Sequence, residues 1–93
     1  MRLDLLLHRL RFAKHRSLAR ALVEGGLVRI DGRRVDKPGA AVGEGQVLTI
    51  PTPAGVRVIR ILTLPSRRGP ANEARACYEE VNSANVSQQA PSD

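Results

Sequence analysis

The sequence predicts a small α+β domain: two N-terminal helices packed on a small antiparallel sheet, then a short C-terminal helix. Three observations carry that expectation. Leu3, Leu6, Leu7 and Leu10 recur at helical spacing; Asp31-Gly32 separates two short apolar–polar alternations; and "VRVIRILTL", from Val56 to Leu64, is a long run rich in β-branched residues. Ninety-three residues suffice for one domain, and with Phe12 and Tyr78 as the only aromatics its core must be aliphatic.

The leucine stripe makes residues 3–10 the first helix, with Arg2 and Arg9 on a flank free to face solvent. Arg11 to His15 is too polar and too short for an element and reads as a connection. A second helix starts near Arg16 or Ser17, with Leu18, Ala21 and Leu22 as its expected buried face and Ala19 and Val23 widening the stripe. Ser17 is a candidate N-cap, although Arg20 leaves no capping box. Gly25-Gly26 stops the helix.

In "LVRIDGRRV", Val28 and Ile30 flank Arg29, Asp31-Gly32 suits a type I′ turn, and the chain returns through Val35. Pro38-Gly39 ends that return. A glycine-rich turn precedes a strand at Gln46 to Ile50, and Pro51, Pro53 and Gly55 turn the chain into the long run that follows. Ser66 to Gly69 is a charged linker. Pro70 suits a first helical turn, and Ala74, Cys77, Tyr78 and Val81 fit one short helix. The sheet therefore has three or four strands, the domain spans 1–81, and the polar stretch 82–93 is expected to be a disordered tail.

The net charge of +6 is unevenly placed: residues 1–37 hold ten Lys or Arg against four Asp or Glu, and residues 5–23 hold no acid at all. Such a block suits a polyanion. Phosphate contacts supply affinity with little sequence selection, and the lack of exposed aromatics argues against a single-strand stacking platform. Folded RNA fits best; DNA is less favoured, because the second helix carries no Asn or Gln to read adenine. If Arg16, Ser17 and Arg20 open the second helix, its unpaired N–H groups and two guanidinium groups converge on one phosphate site. Arg33 and Arg34 flank the hairpin turn.

Catalysis has little to work with. His8 and His15 have no Cys or carboxylate at metal-ligand spacing, Ser17 has no local base, and the glycine pairs fit no phosphate loop. No enzyme, metal or cofactor is expected. No apolar run approaches a membrane span, so no membrane partner is expected, and the lone Cys77 suits a small core residue in a reducing cytoplasm. The Arg-rich amphipathic N-terminus is also how a mitochondrial transit peptide reads, but it supplies much of the amphipathic helical content and is read as structure, with targeting the minority reading.

The ordered set Arg2-Leu3-Asp4, Arg16-Ser17-Leu18-Ala19, Gly25-Gly26 with Val28, the Asp31-Gly32 hairpin with Val35, and "VGEGQVLTI" resembles the RNA-binding domain first defined in small-subunit ribosomal protein S-four. The stretch "RRGPANEARACYEE" is similar to the C-terminal signature of one branch, the fifteen-kilodalton heat-shock protein family. The resemblance implies a stand-alone, non-enzymatic RNA-binding protein of the cytoplasm. It implies association with rRNA or tRNA on large ribosomal subunits that carry peptidyl-tRNA after translation has failed. It also implies an RNA face at the loop before the second helix, that helix's start and the hairpin: Arg11, Lys14, Arg16, Ser17, Arg20, Arg33 and Arg34. An RNA-targeting domain of a modifying enzyme, or a general basic adaptor, is the alternative. His15 stands where many relatives place Ser or Thr.

Overall fold

The computed structural model describes residues 1–81, so the expected tail at 82–93 lies outside the described residues. The elements run α1 (Leu3–Arg9), α2 (Arg16–Glu24), β1 (Val28–Ile30), β2 (Arg33–Val35), β3 (Val47–Thr52), β4 (Gly55–Ile61), α3 (Ala71–Arg75) and β5 (Tyr78–Glu80). All strand pairs are antiparallel, in the order β2-β1-β3-β4-β5. The α+β class with two leading helices and a short later one stands, with one strand more than expected.

Alternation explains the sheet. Val28 and Ile30, Leu48 and Ile50, and Ile59 and Ile61 are buried on one face, while Arg29 and Arg60 between them are exposed. Those six side chains meet Leu3, Leu6, Leu7 and Leu10 of the first helical segment and Ala19 and Val23 of α2 in one aliphatic core. The β1–β2 turn has positive φ at both Asp31 (51°) and Gly32 (81°), with Ile30 opposite Arg33, as a two-residue I′ hairpin requires. Asp31 also fixes the next strand: its carboxylate accepts from Val47 N–H (2.9 Å) and from Gln46 Nε2 (3.2 Å).

The first helix is anchored by the segment between β2 and β3. Leu3 N–H donates to Ala40 O and Asp4 N–H to Pro38 O, so two of the donors that a helix start leaves over are satisfied from outside it. The N-terminal ammonium donates to Val42 O at 3.0 Å.

Both helices end in the same way. After α2, Gly26 N–H donates to Val23 O and Leu27 N–H to Leu22 O, with Gly26 at φ +71°. After α1, Arg11 N–H donates to His8 O and Phe12 N–H to Leu7 O, with Arg11 at φ +68°. These are Schellman motifs, one with the expected glycine and one with an arginine. Gly26→Ala should cost about 1–2 kcal/mol, the ordinary penalty of a Cβ in the left-handed region. A Cβ at position 26 would meet Arg34 Nε at 3.0 Å, a side-chain atom able to yield. Chemical denaturation of the variant measures this.

Two expectations need correction. Ala74, Cys77, Tyr78 and Val81 do not share a helix: α3 ends at Arg75, and Tyr78–Glu80 forms β5. Helical spacing is overridden by the free edge of β4, which β5 covers with Ile61 opposite Tyr78 and Ile59 opposite Glu80. Arg60 to Glu79 (2.8 Å) and Arg57 to Glu80 (2.6 Å) tie the pair together. Nor is the buried face of α2 the expected one. Ala19 and Val23 enter the core and Leu22 is half-buried, but Ala21 is exposed and Leu18 remains 48% exposed. Small side chains let α2 lie close to α1, and the larger leucine is turned outward.

Candidate nucleic-acid interface

The first turn of α2 carries the strongest anion-binding features. His15 is the N-cap residue and makes no side-chain cap hydrogen bond. Leu18 and Ala19 N–H both reach back to His15 O, but the N–H groups of Arg16 and Ser17 find no partner among the described residues. Unpaired donors and the positive end of the helix dipole therefore coincide there. The expected Ser17 cap is replaced by an uncapped His15, and Ser17 is an exposed hydroxyl in the first turn.

Arg16, Ser17 and Arg20 line one cleft of about 430 Å³, together with Arg2 and Asp4. Asp4 is fully buried, and its carboxylate accepts from Arg2 Nε (3.0 Å), Leu5 N–H (2.8 Å) and Arg16 Nη2 (3.3 Å). Burial opposes ionisation of this carboxyl, but the hydrogen bonds from Arg2, Leu5 N–H and Arg16 outweigh it and hold the group below its ordinary range. Asp4 thereby aims Arg2 and Arg16 into the cleft, each about half-exposed. Arg2 is not among the residues that the sequence places at the site. Its signal is the neighbouring Asp4, an acid set within a leucine stripe.

The acid-free window is slightly misleading, since the acids on either side of it partner its arginines. Arg16 contacts Asp4, and Arg20 lies 3.8 Å from Glu24 one turn on. By contrast, Lys14 and Arg33 are exposed and make neither an ion pair nor a side-chain hydrogen bond among the described residues. Arg34 is also exposed, and its side chain lies over Gly26 at the far end of α2. Arg16 and Arg34 therefore mark opposite ends of a nine-residue helix, roughly 13 Å long. They form a spread of cations rather than one closed pocket.

Arg11 has a different position. Its guanidinium donates to Gly69 O (3.0 Å), while Arg9 donates to Pro65 O (3.0 Å) and Arg68 to His8 O (3.1 Å). Phe12, next in the loop, packs 5.4 Å from Tyr78, with the Arg57 guanidinium 5.1 Å from its ring centre. The α1–α2 connection is thus held by residues from 57 onward. Cys77 is half-buried against the core, donating to Glu73 O at 3.4 Å; burial, with Glu73 nearby, pushes its thiol up, away from the reactive thiolate. Among the described residues, no group of His, Cys, Asp and Glu is placed to hold a metal ion, and no helix is long and apolar enough to cross a membrane.

The helix pair α1–α2 and the β1–β2 hairpin after it together fill residues 3–35. A family model of the S4 domain matches residues 1–48, and the chain belongs to that family. The likeness extends further. The structure described as trimeric Vibrio cholerae heat shock protein 15 superposes with a TM-score of 0.85 at 36% identity, over 96% of this chain and 89% of that one. A heat shock protein 15 homolog of Aeromonas salmonicida is 39% identical over 84 residues, 90% of this chain and 63% of that protein. Heat shock protein 15 of Escherichia coli is 39% identical over 81 residues, 87% of this chain and 60% of that protein. The protein is an S4-domain homologue of heat shock protein 15, and it spans about three fifths of the length of these curated relatives.

Proposed function

We propose that this protein is a non-enzymatic, cytoplasmic RNA-binding protein that engages structured rRNA or tRNA on the large ribosomal subunit. There it acts in rescue or recycling of stalled subunits that still carry peptidyl-tRNA. The observation that carries the RNA reading is the start of α2, where two unpartnered N–H groups adjoin a cleft lined by Arg2, Arg16, Ser17 and Arg20. Membership of the S4 and heat shock protein 15 families supports it, and the spread of free cations to the hairpin suits a backbone read by shape.

Because Arg16 also supports Asp4, its removal mixes stability with binding. Lys14→Ala combined with Arg33→Ala is cleaner, since neither side chain has an internal partner among the described residues. Binding to a structured rRNA fragment should weaken, and its logarithmic salt slope should fall by roughly 0.7–0.9 for each phosphate no longer engaged. The melting temperature should stay near wild type. Filter binding across a salt series measures this, and an unchanged affinity and slope count against the interface. Sucrose gradients before and after translational stress test the ribosomal part. Co-migration with free large subunits is expected, and recovery only in ribosome-free fractions overturns it.

A further inference from the structure

The outward half of α2 forms an apolar wall that the fold leaves uncovered. Leu18 is 48% exposed and Leu27, just past the helix, is 56% exposed. With Leu22 and Phe12 they face Pro51 and Pro53, at the end of β3 and in the turn after it, across an open groove of about 770 Å³. Leu18, Ala21 and Leu22, which periodicity assigned to the core, therefore line a groove of ligand size, within the roughly 300–1,000 Å³ typical of small-molecule pockets. Arg11 and Lys14 stand at its rim, and no carboxylate lines it among the described residues.

We propose that this groove seats one unstacked nucleobase of the bound RNA, with the adjoining phosphate at Lys14. The inference rests on the RNA reading above and deepens it, from structured RNA in general to RNA presenting a bulged or looped-out nucleotide. Charge decides the occupant. The chain carries a net charge of +6, and the groove is lined by Arg11 and Lys14 with no acid among the described residues, so a second copy is disfavoured there by like charge. A polyanion meets the same rim favourably. Size agrees, because a few exposed apolar side chains fall well short of the roughly 20–30 residues a side of a stable protein interface. An apolar slot beside a phosphate contact is also how proteins hold bases taken out of a stack.

The test uses the full chain and two RNA hairpins, one continuous and one with a single bulged 2-aminopurine. Wild type should bind the bulged hairpin about tenfold more tightly, in line with burying one base face against an apolar wall, and should change the probe's fluorescence. Leu18→Ser with Leu27→Ser should abolish that preference and leave the salt slope intact. Leu18→Met with Leu27→Met, which keeps the wall apolar, should restore it. Equal wild-type affinity for the two hairpins overturns the proposal, as does a preference that survives the serine changes. Self-association in sedimentation without RNA, abolished by the serine changes, assigns the groove to a second copy and also overturns it. Failure of wild type to bind either hairpin removes the RNA reading itself, and the groove's role with it.

Discussion

Asp4→Ala should lower the stability of this domain by about 2 kcal/mol, a drop of roughly 10 °C in melting temperature for a chain of this size. The carboxylate is fully buried and takes hydrogen bonds from Arg2, Leu5 N–H and Arg16, so its removal deprives three donors at once. Two features keep the effect below the 3–5 kcal/mol or so typical of breaking a wholly buried ion pair. Both arginines are about half-exposed, so water can take over their hydrogen bonds. The helix start also keeps its bonds from Leu3 and Asp4 N–H to Ala40 and Pro38. RNA affinity per folded molecule should fall as well, because Arg2 and Arg16 lose the carboxylate that aims them into the cleft.

The same residue sets an acid limb. The Asp4 carboxyl lies below its ordinary value in the fold, because the hydrogen bonds made to it outweigh the cost of its burial. Its stabilisation is therefore fully present above the unfolded value near pH 4 and disappears as pH falls through the lower folded value. Glu80, held down by the hydrogen bond from Arg57, adds a decline in the same direction. Denaturation midpoints between about pH 2 and 7 should converge for wild type and Asp4→Ala at the acid end. A constant gap across that range contradicts the assignment of the depressed carboxyl to Asp4.

Elements set by local rules were legible in the sequence. The Asp31-Gly32 hairpin needs two positive φ values, a demand that a dipeptide can state by itself, and the structure has both. The leucine stripe of α1 has one apolar face and so one way to be buried. What the sequence does not state is decided between distant segments. The five apolar residues between Leu18 and Val23 form a band too broad to point in one direction, and close approach to α1 selects the small Ala19 for the inside. Tyr78–Glu80 fits a helix until the free edge of β4 is known. The left-handed turn at Arg11 has no glycine to announce it. At the proposed interface the basic residues were visible as a block, but the arrangement that Asp4 imposes on Arg2 and Arg16 depends on its burial, which charge counting does not reveal.

Arg57→Ala should cost a similar amount and reach further than its position suggests. Arg57 hydrogen-bonds Glu80 through both Nε (3.2 Å) and Nη2 (2.6 Å), reaches Tyr78 Oη at 3.4 Å, and lies over the rings of Phe12 and Tyr78. Donation to the Glu80 carboxylate raises the guanidinium pKa further, so the charge is present at every accessible pH. A partly exposed ion pair contributes up to about 1 kcal/mol, and each cation–π contact about 0.5–1 kcal/mol, which together give roughly 2 kcal/mol. The effect should not be uniform. Phe12 follows Arg11, whose left-handed backbone is unfavourable on its own and persists because its surroundings enforce it. With Arg57 gone, the packing of Phe12 on Tyr78 loosens, and the loop bearing Arg11 and Lys14 gains freedom. Hydrogen exchange should accelerate at residues 10–16 and along β5, while the β1–β2 hairpin stays protected. RNA affinity should fall as well, although Arg57 is not among the residues lining the α2 cleft, and Arg57→Lys should recover part of both effects. If exchange rises only in β5 and affinity is unchanged, then the pairing of β4 with β5 is independent of the loop, and the left-handed turn is held by Arg11 to Gly69 O and Arg68 to His8 O alone.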